Sequence, residues 1–240
     1  MNTIKYINNI EPLVFSEVLK GKKIFLSASF PKKDRDQKFY ESANPFNITD
    51  AVVALARAVF SRSGKIVFGG HPTISPLMLS VAKNFFSYYK EDEDIPMVYI
   101  YQSKIFENII PDNTEELKKE GIGEMKWTKA VNNDRNESLT EMRTRMIMDE
   151  DVICGIFIGG MEGIKEELDI CINKGIPVYC LGSTGGNSQI LGENILSGEI
   201  KIPFKYKEVT AEELLNSKQY PYIISKILSD AIKVKKLCLR

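Results

Sequence analysis

Apolar residues along this chain fall into two alternating patterns: short continuous runs, and stretches where they recur every three or four positions. The runs at 23–29, 65–68, 96–102, 125–131, 152–158 and 177–181 read as strands, those with hardly a polar residue as strands buried on both faces. Helical spacing follows most of them. Ala51, Val52, Leu55 and Val59 share one face over 50–60, an apolar helix follows Pro76 to about Tyr89, and Ile164, Leu168, Cys171 and Ile172 share a face after the run at 152–158. Ile10, Leu13, Val14 and Val18 give a weaker helical pattern, which predicts a lead-in helix over 1–22.

Start signals place further helices. Thr73 or Ser75 can cap the helix with Pro76 in its first turn, and Thr114 caps a short helix to Glu120. Ser138 with Glu141 and Thr210 with Glu213 have capping-box spacing, and a last helix runs from about Tyr222 to Lys235. Residues 32–47 are polar, hold Arg35, and are long enough for a lid or binding loop. Strands alternating with helices at this spacing predict an α/β fold: a Rossmann-like, doubly wound, mostly parallel sheet in a single domain over 1–240. Residues 205–240 are expected as a C-terminal helical segment that packs on the domain or forms an oligomer surface.

Composition narrows the function. Hydrophobic residues make up 43% and charged residues 27% of 240 positions, which excludes disordered and fibrous classes. Lys plus Arg and Asp plus Glu each number 32, so nucleic-acid binding through a broad basic face is excluded and an anion site must be local. No run approaches the roughly 20 apolar residues that cross a bilayer, and none near the start suits a signal peptide, so a cytoplasmic protein with no membrane partner is expected. Cys154, Cys171 and Cys180 lie in apolar patterns and Cys238 in the tail, without C-x-x-C spacing. They read as reduced thiols, and neither a metal nor a cofactor is expected.

Four strand-to-helix junctions are built from small residues: Ser27, Ser29 and Pro31; Gly69, Gly70 and His71 on to Ser75; Gly159, Gly160, Met161, Glu162 and Gly163; and Gly182, Ser183 and Thr184 on to Asn187. In a parallel sheet all four lie at the carboxyl edge, where such folds bind ligands. Glycine brings the backbone close to an anion, and the helix after Gly163 points its free N–H groups and positive dipole end there. A glycine pair alone also fits a plain tight turn. The chain has no G-x-x-x-x-G-K-[ST] and no G-x-G-x-x-G after its first strand, so the P-loop is excluded and the usual NAD fingerprint is missing. His71, the single histidine, is either a loop hydrogen-bonder or a ligand contact. Arg143 and Arg145 are either a solvated face or, ahead of the central strand, ligand contacts.

The run Arg143-x-x-Met146, the acidic Asp149, Glu150 and Asp151, then Gly159-Gly160 and Glu166-Glu167, resembles the signature of the LOG phosphoribohydrolases. There an arginine-methionine helix precedes a strand and a Pro-Gly-Gly-x-Gly-Thr-x-x-Glu turn. With Gly160-Met161-Glu162-Gly163 in the turn and Phe68-Gly-Gly-His-Pro-Thr-Ile74 upstream, the chain is similar to the SLOG group of that superfamily. That group includes the sensing half of Thoeris antiphage effectors, and the likeness runs from Lys23 to about Gly186.

The resemblance implies a sensor for a nucleotide or ADP-ribose-derived ligand, linear or cyclic. Arg143 and the glycine turns would neutralise phosphates, Glu166 would accept from ribose hydroxyls, and Tyr101 or Phe106 would stack on the base. Ser27, Ser29, Gly69, Gly70, His71, Gly159, Gly160, Met161, Glu162, Gly163, Ser183 and Thr184 would line the site. No effector domain is visible in the sequence, so a stand-alone sensor is expected to act either through another chain, an effector protein, or by sequestering its ligand, and a homo-oligomer that uses the apolar face near Tyr222 to Leu228 is expected. The alternative it implies is a hydrolase that cleaves the N-glycosidic bond of a nucleoside monophosphate or related nucleotide, with Glu166 or Glu167 catalytic. Three positions depart from the hydrolase signature: Ile158 stands for its proline, Met161 to Ile164 for its Gly-Thr, and Met142 where its arginine lies, with Arg143 one residue later. One helical step is about 100°, so only one of the two glutamates is expected to face the ligand.

Overall fold

In the computed structural model, which describes residues 3–7, 10–91 and 95–238, the apolar runs pair side by side as six parallel strands. They are β3 (Lys23–Ser29), β4 (Lys65–Phe68), β5 (Val98–Ser103), β6 (Gly123–Thr128), β7 (Val152–Gly159) and β8 (Val178–Leu181). Their order is β6-β5-β4-β3-β7-β8. The chain therefore builds outward from β3 to β6, then returns to the other side of β3. Every residue of β4, β7 and β8 is buried, as expected of strands covered on both faces.

Alternating side chains divide between two cores. Ile24, Leu26, Ile66, Phe68, Ile156 and Ile158 face α2 (Pro45–Phe60), α3 (Ser75–Glu91) and α9 (Tyr220–Cys238). Phe25, Val67, Phe157 and Cys180 face α5 (Arg135–Met148), α6 (Gly163–Asn173) and α7 (Gly186–Ser197). Cys154, Cys171 and Cys180 are buried thiols, and the side chain of Cys238 lies outside the described part. Among the described residues no helix is long and apolar enough to cross a membrane.

Several sequence expectations are corrected. The first residues form a hairpin of β1 (Thr3–Ile7) and β2 (Ile10–Phe15), not a lead-in helix. Pro12 would remove a helical donor there, and Thr3, Ile4, Ile7, Ile10 and Val14 are β-branched. The 32–47 segment is no continuous loop: Asp36 accepts from Lys38 N at 2.9 Å and starts α1 (Gln37–Ser42), and Asn44 caps α2. Only residues 30–36 stay as a loop over the carboxyl edge.

Ser138 does not cap a helix. Asp134 caps α5 through Glu137 N, and Ser138 is buried one turn in. Thr114 is likewise internal to α4 (Asp112–Lys119), its hydroxyl 2.7 Å from that of Ser75. The Thr210 box is formed as expected and opens α8 (Ala211–Asn216).

The C-terminal segment packs onto the domain. Ile223, Ile224, Ile227 and Leu228 are buried in the core with α2, leaving Tyr222 exposed, so the apolar face expected for an oligomer is spent inside the fold. Asp230 on α9 is fully buried and accepts from Tyr179 Oη at 2.7 Å and from the backbone N–H of Lys207 and Glu208. Replacing it with alanine leaves three donors without an acceptor. Asp230→Ala is expected to lower stability by at least about 2 kcal/mol in urea or thermal unfolding.

Candidate ligand site at the sheet switch point

The strand order reverses at β3, between β4 on one side and β7 on the other. At such a reversal the loops leave the sheet in opposite directions and open a crevice outside the strand ends. A cavity of about 760 Å³ lies there. Ser27 and Ser29 line it from the end of β3, Lys32 and Arg35 from the loop that follows, and Gly69, Gly70 and His71 from the loop after β4. Gln102 lines it from the end of β5, Phe106 and Ile109 from the segment after it, Arg135 and Arg143 from α5, and Met161, Glu162, Gly163, Glu166 and Glu167 from the turn into α6 and its first residues.

Arg143 lies across the start of α6. A Cβ on Gly163 would stand 2.4 Å from its Nη2, so glycine is what lets the guanidinium rest there. Nη1 donates to Glu166 Oε2, and Nε, buried without a hydrogen-bond partner, lies 3.6 Å from Glu167 Oε1. Both glutamates thus line the cavity, although they stand one helical step apart. The cavity sits beyond the helix N-terminus, and helical side chains lean that way, so neighbours one step apart converge on it from two sides. The one-residue shift of Arg143 does not take it off the site.

The two carboxylates differ in surroundings. Glu167 is the more enclosed, 13% exposed against 33% for Glu166. Burial pushes its carboxyl up, outweighing the hydroxyl of Ser27, which donates to Oε2, and the charge of Arg143. Ser27 reaches it because residues 25 and 27 point to the same sheet face as α6.

Across the cavity, Thr73 N–H donates to His71 Nδ1 at 3.3 Å, and Thr73 Oγ1 lies 2.8 Å from the same nitrogen. Nδ1 is then an acceptor and Nε2 carries the proton. Burial, with the nearby charges of Arg35 and Lys32, lowers the imidazole to about 4. Lys32 and Arg35 themselves have no carboxylate partner among the described residues. Phe106 carries the guanidinium of Arg135 5.9 Å from its ring centre.

Other expected residues build the site without lining it. Gly159 N–H donates to Thr184 Oγ1 at 2.9 Å, and Gly160 N–H to Ser29 O at 2.9 Å. Ser183 Oγ donates to Ser217 O at 2.6 Å, and Asn187 Nδ2 to Met161 O at 3.0 Å. The 182–187 junction is thus a clamp on the 159–161 turn. Gly186 has φ of 63°, and a Cβ there would meet Gly160 O at 2.7 Å, so its glycine serves close packing. Tyr101 is 3% exposed and donates to Glu150 Oε1 at 2.9 Å, which leaves Phe106 as the ring at the cavity.

The profile of the SLOG cluster3 family matches residues 38–214. The chain belongs to this family. Among solved structures, the X-ray structure of TM1055, a Northeast Structural Genomics Consortium target, resembles it with a TM-score of 0.52 at 13% identity. The likeness covers 87% of this chain and 98% of that one, and at this identity it shows the fold alone. No curated protein matches.

In this SLOG cluster3 protein the sequence reading passed over Lys32, Gln102 and Arg135. Gln102 had one signal, a polar residue at the carboxyl end of an otherwise apolar strand. As the chain's one histidine, His71 can be followed by NMR without assignment. Its ring is expected to titrate near 4, against 6.5 for the unfolded chain. The unfolded state then takes the proton first, so the stability His71 contributes is complete above 6.5 and lost as pH falls through 4. A midpoint near 6.5 in the folded protein would show the ring to be solvated instead.

Proposed function

We propose that this chain binds a phosphate-bearing, nucleotide-derived ligand, linear or cyclic, at the switch-point cavity and acts as a sensor. One observation carries the reading: Lys32 and Arg35 line the cavity with no carboxylate partner among the described residues, while the charge of Arg143 is already shared by Glu166 and Glu167. An anion completes this arrangement. Its phosphates meet Lys32, Arg35, the His71 Nε2–H and the open N-terminus of α6, a set suited to charge-assisted hydrogen bonds. Glu166 stands ready to accept from ribose hydroxyls. Phe106 offers the stacking surface. A cavity of about 760 Å³ is of nucleotide size.

Membership of the SLOG family supports small-molecule sensing. Its similarity to Thoeris sensors supports a place in antiphage signalling, with a homo-oligomer and an effector protein as partners.

Calorimetric titration with adenosine monophosphate and ADP-ribose tests this. Lys32→Ala with Arg35→Ala is expected to weaken binding about tenfold or more, at unchanged unfolding temperature because both side chains are exposed. Arg143→Ala is expected to cost roughly 1.5–3 kcal/mol of binding or more, since it also bares two carboxylates to the anion. Undiminished binding in these variants would remove the cavity from consideration.

A second reading, hydrolysis of an N-glycosidic bond, is favoured by the glutamate pair. An enclosed carboxyl pushed up by burial suits a proton donor, and the neighbouring Glu166, which accepts from Arg143, is placed to stabilise positive charge at C1′ or orient water. The hydrolase releases free base from adenosine or guanosine monophosphate, and Glu166→Gln slows it roughly 100-fold or more while binding persists. The sensor leaves its ligand intact over long incubation and tolerates Glu166→Gln with a modest loss of affinity. Chromatography of the incubated nucleotide decides between them.

A further inference from the structure

Gln102 ends β5 at the cavity wall and is 9% exposed. Its Nε2 donates to Gly69 O at 2.7 Å and lies 3.4 Å from Gly70 O. Two carbonyls on that side fix the amide, because turning it over would aim Oε1 at two oxygens. Gly70 leaves the space this needs: a Cβ there would stand 2.9 Å from Nε2. Oε1 makes no hydrogen bond within the described chain, yet it is not among the buried atoms that lack a partner. It therefore opens onto the cavity as a neutral acceptor held in a set direction. Phe106, four residues on, presents its ring to the same space.

We infer that Gln102 is a specificity residue, accepting a hydrogen bond from an amino group on a planar ring of the ligand that packs on Phe106. This rests on the nucleotide reading above and adds to it a requirement on the ring. The chemistry called for is an N–H donor on a flat, neutral group, as on the 6-amino edge of adenine or the carboxamide of a nicotinamide. A ring bearing only acceptors on that edge sets a lone pair against Oε1 and leaves it without a donor. A site built around a fixed polar group discriminates against the analogue that lacks the matching group.

Two ligand pairs separate the sources while keeping sugar and phosphate constant: adenosine monophosphate against purine riboside monophosphate, and nicotinamide mononucleotide against nicotinate mononucleotide. In calorimetry on the full chain, the wild type is expected to favour the amino-bearing member of one pair by about tenfold or more. Gln102→Met, similar in shape and without the acceptor, is expected to erase that preference. Thr114→Val is the control for loop loosening, because Thr114 Oγ1 supports the same turn through Ser75, at 2.7 Å, from outside the cavity. It is expected to weaken both members alike and keep the ratio.

Equal affinity within both pairs overturns the inference. So does a preference that survives Gln102→Met or disappears equally in Thr114→Val. Failure of all four compounds to bind overturns the nucleotide reading itself, and this inference with it.

Discussion

The pairing of β3 with β7 is the constraint on which the rest depends. The two strands run parallel, with one register shift between Lys23 and Ile24, and then stay in step from Ile24 opposite Cys154 to Ser29 opposite Gly159, where Gly160 N–H closes the ladder on Ser29 O at 2.9 Å. Neither strand is adjacent to the other in sequence, so β4, β5 and β6 must be laid down on one side before the chain returns. Because β7 is buried along its length, helices must cover both faces, and the crossovers that supply them leave the sheet in opposite directions at β3. The cavity is a consequence of that geometry, whatever residues line it. What the sequence adds is the choice of small residues where loops approach and of charged ones where they part.

Charge is then distributed in a way that a static fold alone would not favour. Arg143 rests on Gly163 between two carboxylates, one of which is enclosed enough for burial to outweigh the arginine's pull. Partly buried ion pairs seldom stabilise a fold by much, since desolvation offsets their attraction. An unpartnered Nε inside that arrangement is a further cost. Departures of this kind from what favours folding concentrate at functional sites. Here they coincide with the switch point, which topology marks independently.

The strands and most helices were legible because their apolar periods are long and unambiguous, as at 152–158 and 50–60. The hairpin at the start was not: Ile10, Leu13 and Val14 satisfy a helical period by chance over a segment too short to test it, while Pro12 and the β-branched residues argue for strand. Ser138 and Ser183 misled for a shared reason. A small hydroxyl beside a helix start can cap, contact a ligand or satisfy a buried carbonyl, and only packing decides. Ser183 is tied to Ser217 O, and Ser138 to Asp134 O at 2.6 Å. The glycine turns were correctly placed at the carboxyl edge, but which of them faces the cavity depends on the clamp that Asn187 and Thr184 make, a contact between distant parts of the chain. Gln102 was passed over because what sets it apart is the bond of its amide nitrogen to Gly69 O, a contact from β5 to the loop after β4.

The enclosed state of Glu167 links binding to chemistry. Burial pushes its carboxyl up against the pull of Arg143, so it holds a proton more tightly than an ordinary carboxylic acid does. Loss of that proton adds a second negative charge beside the guanidinium and weakens the field a phosphate meets. An arriving ligand that is itself anionic therefore favours the protonated form, since two like charges close together disfavour each other's ionised state. An anion bound there would thus push the carboxyl nearest Ser27 further up. In a sensor this is a charge balance that rewards anionic ligands, and in a hydrolase it is a general acid readied by substrate. The fold supplies the coupling in either case, because Ser27, Arg143 and Glu167 meet where β3, α5 and α6 converge.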